Sequence, residues 1–173
     1  MKIIKSFKYA LKGIVYAVRN ERNMRVHSVV SLCVFVFSLF FNLNKEKYMI
    51  IFLTIGFVMA MEVINSSLES VVDFCARDYN SSAKISKDMA AGAVLISAII
   101  AVIEGIYIFG DINGYIRMWK FFISYPWVIF PVLLFVILGY LYVVLGPTEL
   151  KNKLKMKIKK LNLCRNRRDN FGK

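Results

Sequence analysis

Apolar runs of near-bilayer length recur four times along this chain, and no other feature limits its fold as strongly. They lie at about 26–41, 48–72, 89–109 and 127–145. A hydrocarbon core about 30 Å thick takes about 20 helical residues, so the first run is short and must borrow neighbouring residues. Pro131 makes the fourth a candidate for a kink. Hydrophobic residues make up 58% of the 173, against roughly 45–50% in soluble domains. Only helices and closed barrels satisfy their backbone in lipid. Runs of this length predict an all-α membrane protein.

Ahead of the first run, Ile4, Phe7, Leu11, Val15 and Val18 recur at helical spacing, with Lys5, Lys8, Lys12 and Arg19 mostly on other faces. This pattern predicts an amphipathic helix over about 3–19, lying in the interface with its lysines toward anionic lipid. No small-residue cleavage site follows, so a removable leader is not expected. Turn signals at Asn42–Asn44, Asn80–Ser82 and Gly110–Gly114 separate the runs.

The net charge of +13 would suggest nucleic acid on a soluble face. Here it is divided between apolar spans, which points to a membrane surface and away from nucleic acid. Of the 24 Lys and Arg residues, seven lie in 1–27, three in 73–88 and ten after 146. The loops at 42–48 and 110–125 hold two each. The positive-inside rule then places both termini and the 73–88 loop in the cytoplasm, which needs an even number of spans. Residues 110–125 are expected as an outer loop, 126–146 as an additional transmembrane helix, and 147–173 as a basic cytoplasmic tail.

Glu62, Asn65, Glu69 and Asp73 stand at i, i+3, i+7 and i+11, on one face of an otherwise apolar helix. An ionised carboxylate near the bilayer centre costs at least about 2.5–3.5 kcal/mol on insertion scales. Two within two turns repel unless a cation or a proton lies between them. The stripe therefore predicts a divalent cation, a retained proton, or both. Mg²⁺ takes few carboxylates together with substrate phosphates and water, and a carboxylate able to hold a proton suits a general base. Both serve phosphate transfer to an alcohol. The bland alternative is polar glue between helices.

Glu21, Lys87 and Asp88 lie near the same boundary of the bilayer. Glu21 could complete a metal site with Glu69, and Lys87 could hold ATP phosphates. No GxxxxGK[ST] loop, HRD or DFG pattern is present. Cys33, Cys75 and Cys164 show no disulfide or zinc spacing. His27 reads as a boundary residue, Glu104 receives no catalytic role, and the Tyr115–Trp127 aromatics read as an interfacial belt.

The pattern ExxNSxxExxVD, from Glu62 to Asp73, is followed fourteen residues later by Lys-Asp-Met at 87–89. On these motifs residues 6–109 resemble the small prokaryotic diacylglycerol kinase/undecaprenol kinase family. The resemblance implies a lipid kinase core over 1–109: the interfacial helix and three spans, assembled as a homotrimer with active sites shared between subunits in a bacterial plasma membrane.

It also implies roles for residues. Glu62 would take the proton from the lipid hydroxyl, and Asn65 would orient base and substrate. Glu21 and Glu69 would bind Mg²⁺ and with it the nucleotide. Tyr9, Asp78, Lys87 and Asp88 would engage ATP. The segments ERNMRVH and KDMAAGAV resemble the Gram-positive undecaprenol kinases. Ala90 and Ala91 stand where Gram-negative diacylglycerol kinases carry Gly-Ser, so undecaprenol is the expected acceptor and diacylglycerol the alternative. Residues 110–173 depart from the family and carry no phosphatase constellation. The competing readings are a small transporter subunit, with acids lining an ion path, and an inactive scaffold.

Overall fold

The computed structural model of the protein describes residues 2–76 and 80–146. Every regular element among them is helical, and the chain is an all-α membrane protein. Helix α1 covers Lys2–Asn20, α2 Arg22–Ser38, α3 Lys45–Cys75, α4 Ser81–Ile108, α5 Ile112–Ser124 and α6 Ile129–Leu145. A 3-10 turn at Pro126–Val128 leads into α6. Asp78 and the basic tail 147–173 lie outside the described residues.

Ile4, Phe7 and Leu11 of α1 are exposed, which suits a helix that turns an apolar face toward acyl chains. A single extended residue, Glu21 (φ −88°, ψ 124°), turns the chain from α1 into α2. Ala17 and Met24, one on each side of that corner, are buried.

Among the described residues, three helical stretches are long and apolar enough to cross a membrane: α3, α4 and Pro126–Leu145. The short first run does not join them. Its helix α2 has 17 residues, about 25 Å at 1.5 Å per residue. Turns at 39–42 end it, with Asn42 at φ 46°, a left-handed conformation that asparagine tolerates. By contrast, α3 has 31 residues, about 46 Å. It overshoots the hydrocarbon by roughly ten residues, so the end carrying Glu69 and Asp73 can reach the boundary.

Asparagines begin both long helices. The Asn44 side chain accepts from the Lys47 backbone N–H at 3.0 Å. That of Asn80 accepts from Ser82 at 2.9 Å and Ala83 at 3.3 Å. Each fills amide donors that a helix start leaves without partners. Helices α3 and α4 pack as an antiparallel pair, α2 lies against α3, and α6 lies against α2.

The segment 110–125, expected as a loop, folds as helix α5. Asp111 caps it, accepting from Asn113 N at 3.0 Å. The rings of Phe37, Phe41, Phe109 and Tyr115 meet at centroid distances of 4.8 to 5.9 Å. Arg117 Nε donates to the Phe40 carbonyl at 2.7 Å. The expected kink is not needed either. Pro131 lies in the first turn of α6, where a missing N–H leaves no bond unmade. No residue of α6 is buried within one chain; its apolar surface is left to lipid or to protein partners.

Candidate active site

Two side chains of the acidic stripe are withdrawn from solvent in the long helix α3. Glu62 is 2% exposed and Asn65 6%. Spacing three residues apart puts both on the side of α3 that faces its neighbours. Asn65 Nδ2 donates to Glu69 Oε1 at 3.0 Å, which ties the half-buried Glu69 to the stripe.

Around the Glu62 carboxylate stand Asn23 and His27 of α2 and the carboxylates of Glu69 and Glu21. Glu62 Oε2 and Asn65 Oδ1 are buried with no hydrogen-bond partner among the described residues. A buried acceptor left unmatched costs about 1–3 kcal/mol, and more when charged. Folding alone does not explain two such atoms one turn apart. They mark this cluster as the candidate site.

Lys87 and Asp73 meet at the edge of this cluster, Nζ to Oδ1 at 2.8 Å. Both are solvent-accessible, with side chains 35% and 68% exposed, and the Lys87 ammonium also feels the Glu69 carboxylate. The structure thus brings together Glu62, Asn65, Glu69 and Glu21, with the Lys87–Asp73 pair alongside. Tyr9, exposed on α1 with the Lys12 ammonium 5.8 Å from its ring, stands outside that cluster within one chain. Asp88 is exposed on α4.

Among the described residues no three His, Cys, Asp or Glu side chains converge closely enough to hold a metal ion by themselves. Glu21 and Glu69 offer a two-carboxylate set, both near Glu62. That number suits an ion which fills its remaining positions with phosphate and water.

The sequence alone does not single out Asn23, and it suggests for His27 only a boundary position. Both sit in the segment that carries Glu21. Their i, i+4 spacing, which stacks them on one face of α2, was the available signal.

Two apolar openings adjoin the cluster. One, about 360 Å³, runs between α2, α3 and α4, with His27 among its lining and Val30, Val58 and Ala98 as typical walls. Glu104 also borders it and accepts a hydrogen bond from the Thr54 hydroxyl. The other, about 310 Å³, lies between α3 and α4 and is lined by Asn65, Leu68, Met89 and Ala90 among others. A polar cluster flanked by greasy openings is the form expected of a site for a ligand with a polar head and an apolar tail.

Known proteins resemble this chain in sequence. The sequence pattern described as prokaryotic diacylglycerol kinase matches residues 8–109. A diacylglycerol kinase of Synechocystis is 41% identical over 104 residues, which are 60% of this chain and 59% of that protein. The undecaprenol kinase of Bacillus subtilis is 37% identical over 108 residues, 62% of this chain and 88% of the relative. The diacylglycerol kinase of Escherichia coli is 33% identical over 102 residues, 59% and 84% respectively. Helices α1 to α4 make up the shared part, and α5 and α6 lie beyond it. The chain belongs to the prokaryotic diacylglycerol kinase family.

Proposed function

We propose that the protein phosphorylates a membrane lipid alcohol with ATP, and that the alcohol is undecaprenol. One observation carries the reading. Glu62 is a buried carboxylate with an unpartnered oxygen, set between two further carboxylates and beside apolar openings. A lipid hydroxyl entering from the apolar side supplies the donor that this oxygen lacks.

The residues would share the work as follows. Glu62 accepts the proton as the lipid oxygen bonds to the γ-phosphorus. The bond from that phosphorus to the β-bridging oxygen breaks, and ADP leaves. Asn65 holds Glu69 through its Nδ2, and its buried Oδ1 is without a partner among the described residues. Glu21 and Glu69 would hold Mg²⁺. When bound, that ion neutralises charge on the phosphate oxygens. Lys87 exchanges part of its contact with Asp73 for phosphate. Tyr9, Asp78 and Asp88 belong to the nucleotide side. Tyr9 reaches it from a neighbouring subunit of a homotrimer in which each site is shared.

Residues Ala90 and Asn65 line the same opening. Ala90 stands where some relatives carry glycine, so it adds a methyl group to that wall, which suits a polyprenyl chain. The Bacillus relative acts, by its name, on undecaprenol. The Synechocystis and Escherichia coli relatives are named for diacylglycerol, and this favours a second reading with diacylglycerol as acceptor. In either case the site faces the cytoplasm at the inner bacterial membrane. Both termini lie on that side, α2, too short to span by itself, is carried across beside α3 and α4 by the residues that flank it, and α1 rests on anionic lipid through its lysines.

The test is transfer of radiolabel from ATP to undecaprenol and to diacylglycerol offered side by side to purified protein. Undecaprenyl phosphate should dominate, and chelation of Mg²⁺ should abolish it. Exclusive labelling of diacylglycerol would replace the acceptor. No labelling of either would remove the kinase reading.

A further inference from the structure

Helix α6 lies beyond the residues that match the family, yet its last turn meets the segment that carries Glu21. The meeting point is Arg25, which is only 7% exposed. Its Nε and Nη2 both donate to the Val143 carbonyl at 3.3 Å, and its Nη1 donates to the Arg19 carbonyl at 3.0 Å. Val143 belongs to the last turn of α6 and Arg19 to the last turn of α1. Last-turn carbonyls have no partners within their own helices, and they sit at the negative end of the helix dipole. One buried cation thus joins the ends of two helices.

Gly146 completes the contact. At φ +60° it has a backbone that side chains rarely adopt. A Cβ there would lie 3.1 Å from Arg25 Cζ and 3.2 Å from both terminal nitrogens. Further along, a Cβ on Gly139 would stand 3.3 Å from Val29 Cγ1, so α6 also packs closely against the next turns of α2.

The corner fixed in this way is the α1–α2 junction. Glu21 is its one extended residue, and its side chain makes no capping hydrogen bond. Glu21 and Asn23 both act on the Glu62 carboxylate from this corner. We propose that α6 is a built-in brace of the site, with Arg25 as a positioning residue that holds Glu21 at the nucleotide side through the ends of α1 and α6. This rests on the lipid kinase reading, in which Glu21 serves the metal–nucleotide side and Glu62 the lipid.

The test uses the full chain in lipid nanodiscs, with Gly146→Ala, Arg25→Lys and Arg25→Gln. Gly146→Ala disturbs the contact from the α6 side and leaves Arg25 in place, so it decides the matter even if Arg25→Gln does not fold. The KM for Mg·ATP should rise at least about fivefold in Gly146→Ala and Arg25→Gln, with kcat and the lipid KM within about twofold. Arg25→Lys keeps the charge but not the fork, so it should fall between these and the parent protein.

Amide exchange across residues 19–23 should quicken in the same order, a readout that needs no turnover. If the parent protein transfers no phosphate, the kinase reading fails and exchange alone judges the brace. Unchanged exchange in Gly146→Ala overturns it. So does a loss confined to kcat or to the lipid KM.

Discussion

Asn65 donates through Nδ2 to Glu69 Oε1 at 3.0 Å, one helical turn further along α3, and its own Oδ1 is buried without a partner among the described residues. One amide therefore fixes a carboxylate with one end and waits with the other. Asn65→Ala should lower kcat/KM by roughly tenfold to a hundredfold, the loss of about 1.5–3 kcal/mol for a hydrogen bond to a charged group. Titration with Mg²⁺ at fixed ATP should show weaker activation. An unchanged Mg²⁺ dependence would separate Asn65 from the metal side.

The Lys87–Asp73 pair makes a different prediction. Both partners are accessible, so breaking the pair should leave stability almost unchanged. Lys87→Met should nevertheless raise the KM for ATP about tenfold, because the ammonium is needed by phosphates and not by the fold. Thermal unfolding in detergent and initial-rate kinetics check the two halves separately.

At the other end of the bundle the predictions concern packing. A Cβ on Gly114 would come within 2.3 Å of Phe41 Cδ1, in a ring cluster where Phe41 is 3% exposed. Gly114→Ala should destabilise the protein by about 1–3 kcal/mol, as overpacking does. Phosphate transfer per folded molecule should stay unchanged. The measurement is unfolding temperature alongside specific activity.

Asp111 adds a pH dependence. The backbone N–H of Asn113, with help from the Asn113 side chain and Arg117, holds this carboxyl below its ordinary pKa of 3.8. A depressed acid stabilises the fold above its ordinary pKa and loses that contribution as pH falls through the lowered value. Amide protection at the start of α5 should therefore be constant above about pH 4 and fall below it. Asp111→Asn should remove the dependence. Persistence of the acid response in that variant would assign it elsewhere.

Much of this was legible in the sequence. Apolar runs with turn signals between them gave the helices, and a carboxylate stripe at i, i+3 and i+7 put Glu62, Asn65 and Glu69 on one face. What periodicity could not give was the partner across the gap. Asn23 and His27 were hidden among charges that read as a solvated boundary, and Arg25 counted only as one more basic residue. Helix α5 was missed because its glycines and asparagines resemble a loop until Phe41 packs on Gly114. The end of α2 was placed too late because residues 39–41 continue its apolar run while their backbone turns.

The most direct test of the central claim is γ-phosphate transfer by Glu62→Gln. The amide keeps the size and burial of the side chain and cannot accept the alcohol's proton, so turnover should fall by about 10²–10⁴. Membrane insertion and ATP binding should be retained. Parent-like labelling of lipid by Glu62→Gln would contradict the account.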